Sequence, residues 1–247
     1  MSATPIGYRL SRLLRLSVHM LAGAVKLARH SARWSEQRRV HEIGVWSRRL
    51  LRIVGVHVEH TGTLPAAGLV VTNHISWMDI FVLNAVAPAR FVSKSEVAHW
   101  PLIGYLCTKS GTLYIERGRK RAARLANAAI AAALETGERV VLFPEGTTSF
   151  GRHVLHFHAA LLQPAIDVGA QVHPASLRYT DARGAHTVAP SYVGEQSLIG
   201  SLWTLLGERR IVAHLSFAPP VAAQGAHRRE LADALHAAVS RSLAATD

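Results

Sequence analysis

Apolar positions recur at helical spacing through the first fifth of the chain and at strand spacing after it. Leu10, Leu13, Leu14, Val18, Leu21 and Val25 form one stripe, and Val40, Ile43, Trp46 and Leu50 form a second. Steps of three and four place each set on one face of a helix. Two amphipathic helices are therefore predicted, with a break near residues 30–34. From about Leu51 the period shortens. Short apolar and β-branched runs at 54–60, 69–72, 90–93, 112–115, 140–143, 172–177 and 211–217 read as strands. Between them the Ala-rich stretch 120–136 stops before Gly137, as a helix with a C-terminal glycine does. Leu231, Leu235, Val239 and Leu243, four apart, predict a closing helix. Strands alternating with helices predict an α/β fold, a mostly parallel central sheet flanked by helices. The expected division is an N-terminal amphipathic helical motif over residues 1–52 and an α/β domain over 53–247.

Charge sharpens the reading of the first segment. The 247 residues carry a formal net charge of +12 with 49% hydrophobic residues. Residues 1–52 hold eleven Lys and Arg against two acidic residues, nine of those twelve net charges. A basic stripe beside an apolar one suits an anchor lying in a membrane interface, with cations over lipid phosphates and Trp34 and Trp46 at headgroup depth. The plainer alternative is a pair of helices capping a soluble core with a solvated basic face. Arg15, His19 and Lys26 interrupt the apolar run from Leu13 to Ala28, which stays short of the ~20 residues a spanning helix needs. With no convincing secretory signal, the expected place is the cytoplasmic face of the inner (cell) membrane, peripheral or monotopic. Cys107 is the one cysteine, so neither an intrachain disulfide nor a multi-thiolate zinc site can form. His153, His156 and His158 cluster without a neighbouring carboxylate, and no metal is expected. Nucleic acid could also attract such a charge, but no nucleic-acid motif accompanies it.

The segment Val71-Thr72-Asn73-His74-Ile75-Ser76-Trp77-Met78-Asp79 carries candidate chemistry. A strand is expected to end at Thr72 and a helix to begin with Ser76 as its N-cap. His74 then sits in the turn, and Asp79, in the first helical turn, can reach back to one imidazole nitrogen. The carboxylate would fix the tautomer, leaving the other nitrogen to take a proton from a hydroxyl. The chain has no Gly-x-Ser-x-Gly elbow, so this would be a base without a protein nucleophile. Taken alone, the spacing equally describes a polar turn with a capping aspartate. Three more segments bear on the choice: Gly111-Thr112-Leu113-Tyr114-Ile115-Glu116-Arg117, Phe143-Pro144-Glu145-Gly146-Thr147-Thr148, and Val172-His173-Pro174-Ala175. In a parallel sheet the ends of such strands gather at one ligand-binding edge.

These four blocks, in this order and spacing, resemble those of the glycerolipid (lysophospholipid) acyltransferase family, which includes 1-acyl-sn-glycerol-3-phosphate acyltransferase. The likeness covers about residues 70–178, and the N-terminal helices are similar to the membrane-binding motif of bacterial members. The resemblance implies an O-acyltransferase with His74 as base and Asp79 as its orienting carboxylate. It assigns Arg117 to the acceptor phosphate, Glu145, Gly146 and Thr147 to the acceptor-binding turn, and Lys94 to a basic position after a strand. Pro174 would shape the site. The implied reaction moves an acyl chain from acyl-CoA or acyl carrier protein to the free hydroxyl of 1-acyl-sn-glycerol-3-phosphate, in contact with membrane lipids and with no cofactor. Thr148 departs from the arginine that many members with this acceptor carry. The Glu-Gly-Thr-Thr-Ser form resembles lyso-ornithine lipid acyltransferases, which makes that lipid, or another lysophospholipid, the alternative acceptor. A thioesterase, with water in place of the hydroxyl, is the rival enzyme class. Oxyanion donors are expected among backbone N–H groups near Ser76.

Overall fold

The computed structural model describes residues 4–116 and 120–245. Helices α1 (Ile6–His30) and α2 (Glu36–Val54) flank a short 3-10 turn at Ser31–Arg33. The Ser35 side chain caps α2 by accepting from the Arg38 N–H at 3.2 Å, and Gly55 ends it at φ +82°, where a side chain would be strained. The remaining elements follow in order. They are β1 (Val56–Thr61), β2 (Gly68–Thr72), α3 (Asp79–Val86), β3 (Arg90–Lys94), α4 (Ile103–Lys109), β4 (Leu113–Ile115), α5 (Lys120–Glu135), β5 (Arg139–Leu142), α6 (Gln163–Asp167), β6 (Gln171–Asp181), α7 (Leu198–Gly207), β7 (Ile211–Phe217), β8 (Val221–Ala222) and α8 (Arg228–Ala244).

The sheet is mixed, with strand order β1-β7-β6-β2-β5-β3-β4 and β8 paired to β6. β6, β2, β5, β3 and β4 run parallel to one another. β7 pairs antiparallel to β6, and β1 follows β7. The mostly parallel expectation therefore gives way on one side. A chain returns parallel only after a crossover that carries it back along the sheet. Here β7 begins at Ile211 opposite Asp181, the last residue of β6, so the connection through α7 stays at one edge. Apolar periodicity marks a strand but carries no sign of its direction.

Alternate residues of the central strands feed two cores. Val70, Val141, Ala175, Leu177 and Tyr179 face a cluster with Leu16, Leu50, Leu51, Val54, Val82, Leu83, Leu205 and Leu206, from α1, α2, α3 and α7. Leu69, Val71, Val140, Leu142 and Val172 face the other, with Ile130, Leu134, Leu231, Leu235 and Val239 from α5 and α8. Helices thus cover both faces, and β2 is buried along its whole length.

The N-terminal helices pack onto the first core with an inverted polarity. Arg12 is buried, and its guanidinium donates to the carbonyls of Leu206, Glu208 and Arg209 at the end of α7; burial holds its pKa below the ordinary arginine value. These carbonyls have no helical partner of their own, so the arginine acts as a C-terminal cap supplied by another helix. Ile6, Leu10, Leu14, Val18, Leu21 and Val25 point outward instead, 47–68% exposed. Trp46 is half-buried. Its indole stacks on His19 at 5.1 Å and lies against Gly23, where an added Cβ would meet it at 2.5 Å. Among the described residues no helix is long and apolar enough to cross a membrane.

Candidate active site

β2 delivers the chain into a turn, residues 73–78, whose backbone is held by side chains. Asn73, buried at the strand end, accepts from the Leu177 N–H at 2.8 Å and donates to the Leu177 carbonyl at 2.9 Å, locking the turn onto β6. The expected Ser76 N-cap is displaced. α3 begins at Asp79, and the Ser76 hydroxyl accepts from Met78 N–H at 3.1 Å, closing a tight turn ahead of the helix. Serine competes for local backbone donors in this way, which delays the helix by a few residues.

Asp79 is fully buried at the centre of the site. Its Oδ2 accepts from His74 Nδ1 at 2.8 Å, from Ile75 N–H at 2.7 Å and from Ser76 N–H at 2.9 Å. Its Oδ1 accepts from the Tyr179 hydroxyl at 2.8 Å. Four donors thus fix the orientation of the carboxylate at the start of α3. Burial, with the charge of Asp79 beside it, pushes the Tyr179 hydroxyl well above its ordinary pKa, so it remains a donor. The imidazole of His74 stacks on Phe143, centroids 3.8 Å apart and planes 16° from parallel. One edge is thus bound, one face is packed, and Nε2 has no hydrogen-bond partner among the described residues. A His with a bound Nδ1 and an open Nε2 is arranged to accept a proton from a hydroxyl.

Of the other candidates, Glu145 and the turn after it reach this pair. Glu145 follows β5, and its carboxylate is directed at the chain. Oε2 accepts from the His74 N–H at 3.2 Å and Oε1 from the Leu155 N–H at 2.9 Å, with 3% of the residue exposed. Burial raises its pKa to about 7 against the two backbone hydrogen bonds, and the nearby Asp79 charge adds to the rise. Gly146 turns the chain at φ +65°, and Thr147 beyond it is exposed. Thr148 donates its hydroxyl to the Tyr192 carbonyl, while Ser149 N–H binds the His74 carbonyl at 2.8 Å and Tyr192 N–H binds the Ile75 carbonyl at 3.0 Å. The 144–149 turn and the 188–194 segment are therefore both stitched to the 73–78 turn. Lys94 is exposed at the end of β3, and Pro174 pairs with Val71 of β2. Arg117 lies outside the described residues.

The expected oxyanion donors are mostly engaged. The N–H groups of Ile75 and Ser76 serve Asp79, that of Met78 serves Ser76 Oγ, and that of Asp79 binds the Ser76 carbonyl. Two residues of the site escaped the sequence reading, Asn73 and Tyr179. Tyr179 carried a faint signal, since a tyrosine inside a long apolar strand needs a partner for its hydroxyl. Among the described residues no group of three or more His, Cys, Asp or Glu is arranged to hold a metal.

Comparison with known proteins places this geometry in context. The family model described as Acyltransferase matches residues 55–178. The lyso-ornithine lipid O-acyltransferase of Pseudomonas aeruginosa is 37% identical over 202 residues, covering 81% of this chain and 78% of that protein. The 1-acyl-sn-glycerol-3-phosphate acyltransferase of Neisseria meningitidis serogroup B is 39% identical over 153 residues, 62% of this chain and 60% of that protein. The crystal structure of the 1-acyl-sn-glycerophosphate acyltransferase of Thermotoga maritima superposes with a TM-score of 0.70 at 23% identity, covering 96% of this chain and 97% of that one.

Proposed function

Since the chain belongs to the acyltransferase family, we propose that it transfers a fatty acyl group from acyl-CoA or an acyl carrier protein thioester to the free hydroxyl of 1-acyl-sn-glycerol-3-phosphate, giving phosphatidic acid. The observation that carries this reading is the His74–Asp79 pair, with Nδ1 held at 2.8 Å and Nε2 open. His74 Nε2 takes the proton of the acceptor hydroxyl as that oxygen bonds to the thioester carbonyl carbon. Asp79 stabilises the imidazolium that forms. The tetrahedral intermediate collapses by breaking the C–S bond, and the imidazolium returns its proton to the departing thiolate, leaving an ester and a free thiol. Glu145 keeps the base in place through the His74 N–H. Gly146, Thr147, Lys94 and Arg117 contribute to the acceptor side, Arg117 and Lys94 as cations for its phosphate.

The outward leucines of α1, beside the basic residues of 1–52, support attachment to a membrane surface. The inward turn of Arg12 strengthens this reading, because part of the basic charge does packing work while the exposed face is left apolar. The enzyme would thus act at the cytoplasmic face as a peripheral or monotopic protein, with residues 1–52 as anchor and 53–247 as catalytic domain.

A second acceptor has its own support. Thr148 stands where an arginine could pair with a phosphate, and its hydroxyl is committed to the Tyr192 carbonyl. That favours a headgroup without a phosphate, and a relative that covers 81% of this chain is named a lyso-ornithine lipid O-acyltransferase. The two readings separate in an acyl-transfer assay with purified protein, both thioester donors, and lysophosphatidic acid and lyso-ornithine lipid in direct competition. Preferred acylation of lysophosphatidic acid supports the first reading; preference for lyso-ornithine lipid replaces it with the second.

A further inference from the structure

α7 is a surface helix without a charged residue. Its sequence is Leu-Ile-Gly-Ser-Leu-Trp-Thr-Leu-Leu-Gly. Ser201, Leu205 and Leu206 are buried against the core, while Ile199 is 81% exposed, the highest of any large apolar side chain described. Trp203 lies one turn further along the same face, half-buried. A water-facing helix normally opposes its apolar stripe with a charged one, and here the outer face has none.

Two contacts say what covers that face. The Arg9 guanidinium of α1 lies 5.4 Å over the Trp203 ring, and its Nη1 donates to the Trp203 carbonyl at 3.0 Å. Arg9 is flanked on α1 by outward-facing Tyr8 and Leu10, so the apolar surface of α7 continues into the exposed stripe of α1. Arg209 and Arg210, both exposed, follow the helix directly and put cations at its end. Glu195, exposed in the segment before α7, is the acidic side chain at its start, and Glu208 is half-buried at its end. An apolar face edged mainly by arginines matches an anionic lipid surface. α7 is also joined to the catalytic turn, since Trp77 Nε1 donates to Ser201 Oγ at 3.1 Å.

We infer that α7 is a second membrane-contacting element, with Ile199 inserted among the acyl chains beside α1, and that it sets the catalytic turn at the depth of a bilayer-held acceptor. This rests on the reading of α1 as the anchor. An Ile placed in the acyl region and then replaced by a carboxylate should weaken vesicle binding about tenfold or more. Activity on vesicle-embedded acceptor falls with it, while activity on a short-chain, water-soluble acceptor stays at the wild-type level.

The experiment uses the full chain with Cys107→Ser and one new cysteine at a time, Ile199→Cys, Leu14→Cys or Glu135→Cys, each labelled with an environment-sensitive fluorophore. Glu135 ends α5 just ahead of β5, at the sheet edge opposite the catalytic turn, and serves as the water-facing control. Vesicles of phosphatidylcholine and phosphatidylglycerol with acyl-chain nitroxides are added. The expected result is a blue shift and strong quenching at positions 199 and 14 and no change at 135. Quenching at 14 with none at 199 overturns the inference and leaves the α1 anchor standing. Absence of quenching at both positions overturns the anchor as well. Ile199→Asp, paired with the two acceptors, checks the functional half: an equal loss on both acceptors would mean that the site itself was disturbed, and would overturn the role given to α7.

Discussion

Asp79→Asn isolates the carboxylate charge from its geometry. Asparagine has the same shape. Its amide oxygen can occupy the Oδ2 position and accept from His74 Nδ1, Ile75 N–H and Ser76 N–H, as the carboxylate does. Its amide nitrogen then faces Tyr179, whose hydroxyl now donates to Oδ1 and can turn to accept instead. The three donors to Oδ2 keep their partner, so the fold should hold. Asp79→Ala would instead orphan several buried donors, each costing about 1–3 kcal/mol, and would blur the result. What Asn removes is the attraction between carboxylate and imidazolium in the transition state. At a charge separation of roughly 4 Å and an effective dielectric of about 20, that attraction is worth about 4 kcal/mol. Lost from the barrier alone, this predicts a fall in kcat of roughly a thousandfold with little change in KM. The assay is thiol release from acyl-CoA with a saturating lysolipid, beside a thermal melt. A folded Asp79→Asn enzyme with kcat within about tenfold of wild type would refute the charge-support argument.

Three other outcomes are expected. Tyr179→Phe removes one of the four donors that hold the Asp79 carboxylate in place, so kcat should fall about tenfold with KM little changed; an unchanged kcat would make Tyr179 a packing residue. Glu145 has a folded pKa of about 7 above its ordinary 4.5, so the folded chain binds the proton more tightly, and the stability this gives is full below pH 4.5 and lost as pH rises through 7. Urea unfolding of Glu145→Gln relative to wild type should therefore move in the variant's favour by about 3 kcal/mol from acid to neutral pH, and a flat difference would contradict the shift. Leu14→Glu changes a side chain that is 66% exposed, so it should leave the melting temperature nearly unchanged and cut vesicle binding about tenfold or more, with residual attachment weakened further by salt.

Periodicity and block spacing located the strands that matter, and β2, β3, β5 and β7 start or stop within two residues of their expected bounds. The His74–Asp79 contact was legible for a local reason: five residues across a strand-to-helix turn bring the two together whatever the rest of the fold does. What was not legible depended on distant partners. Nothing near Tyr179 says that its hydroxyl meets a carboxylate a hundred residues earlier. The buried place of Arg12 was not legible either, because composition cannot tell a basic side chain that caps α7 from an exposed one. Glu145 read as an acceptor contact from its own block, and its hold on the His74 and Leu155 N–H groups shows only in the fold.

The central claim is that His74 drives acyl transfer to a lysolipid hydroxyl. The most direct measurement follows formation of the two-chain lipid from an acyl thioester and a lysolipid, for wild type and His74→Ala side by side. The account predicts ester formation that depends on added lysolipid, lost by about 10²–10⁴-fold in His74→Ala while the melting temperature and vesicle binding stay as they were. Wild-type turnover in a folded His74→Ala enzyme, or thiol release without any new lipid ester, would contradict it.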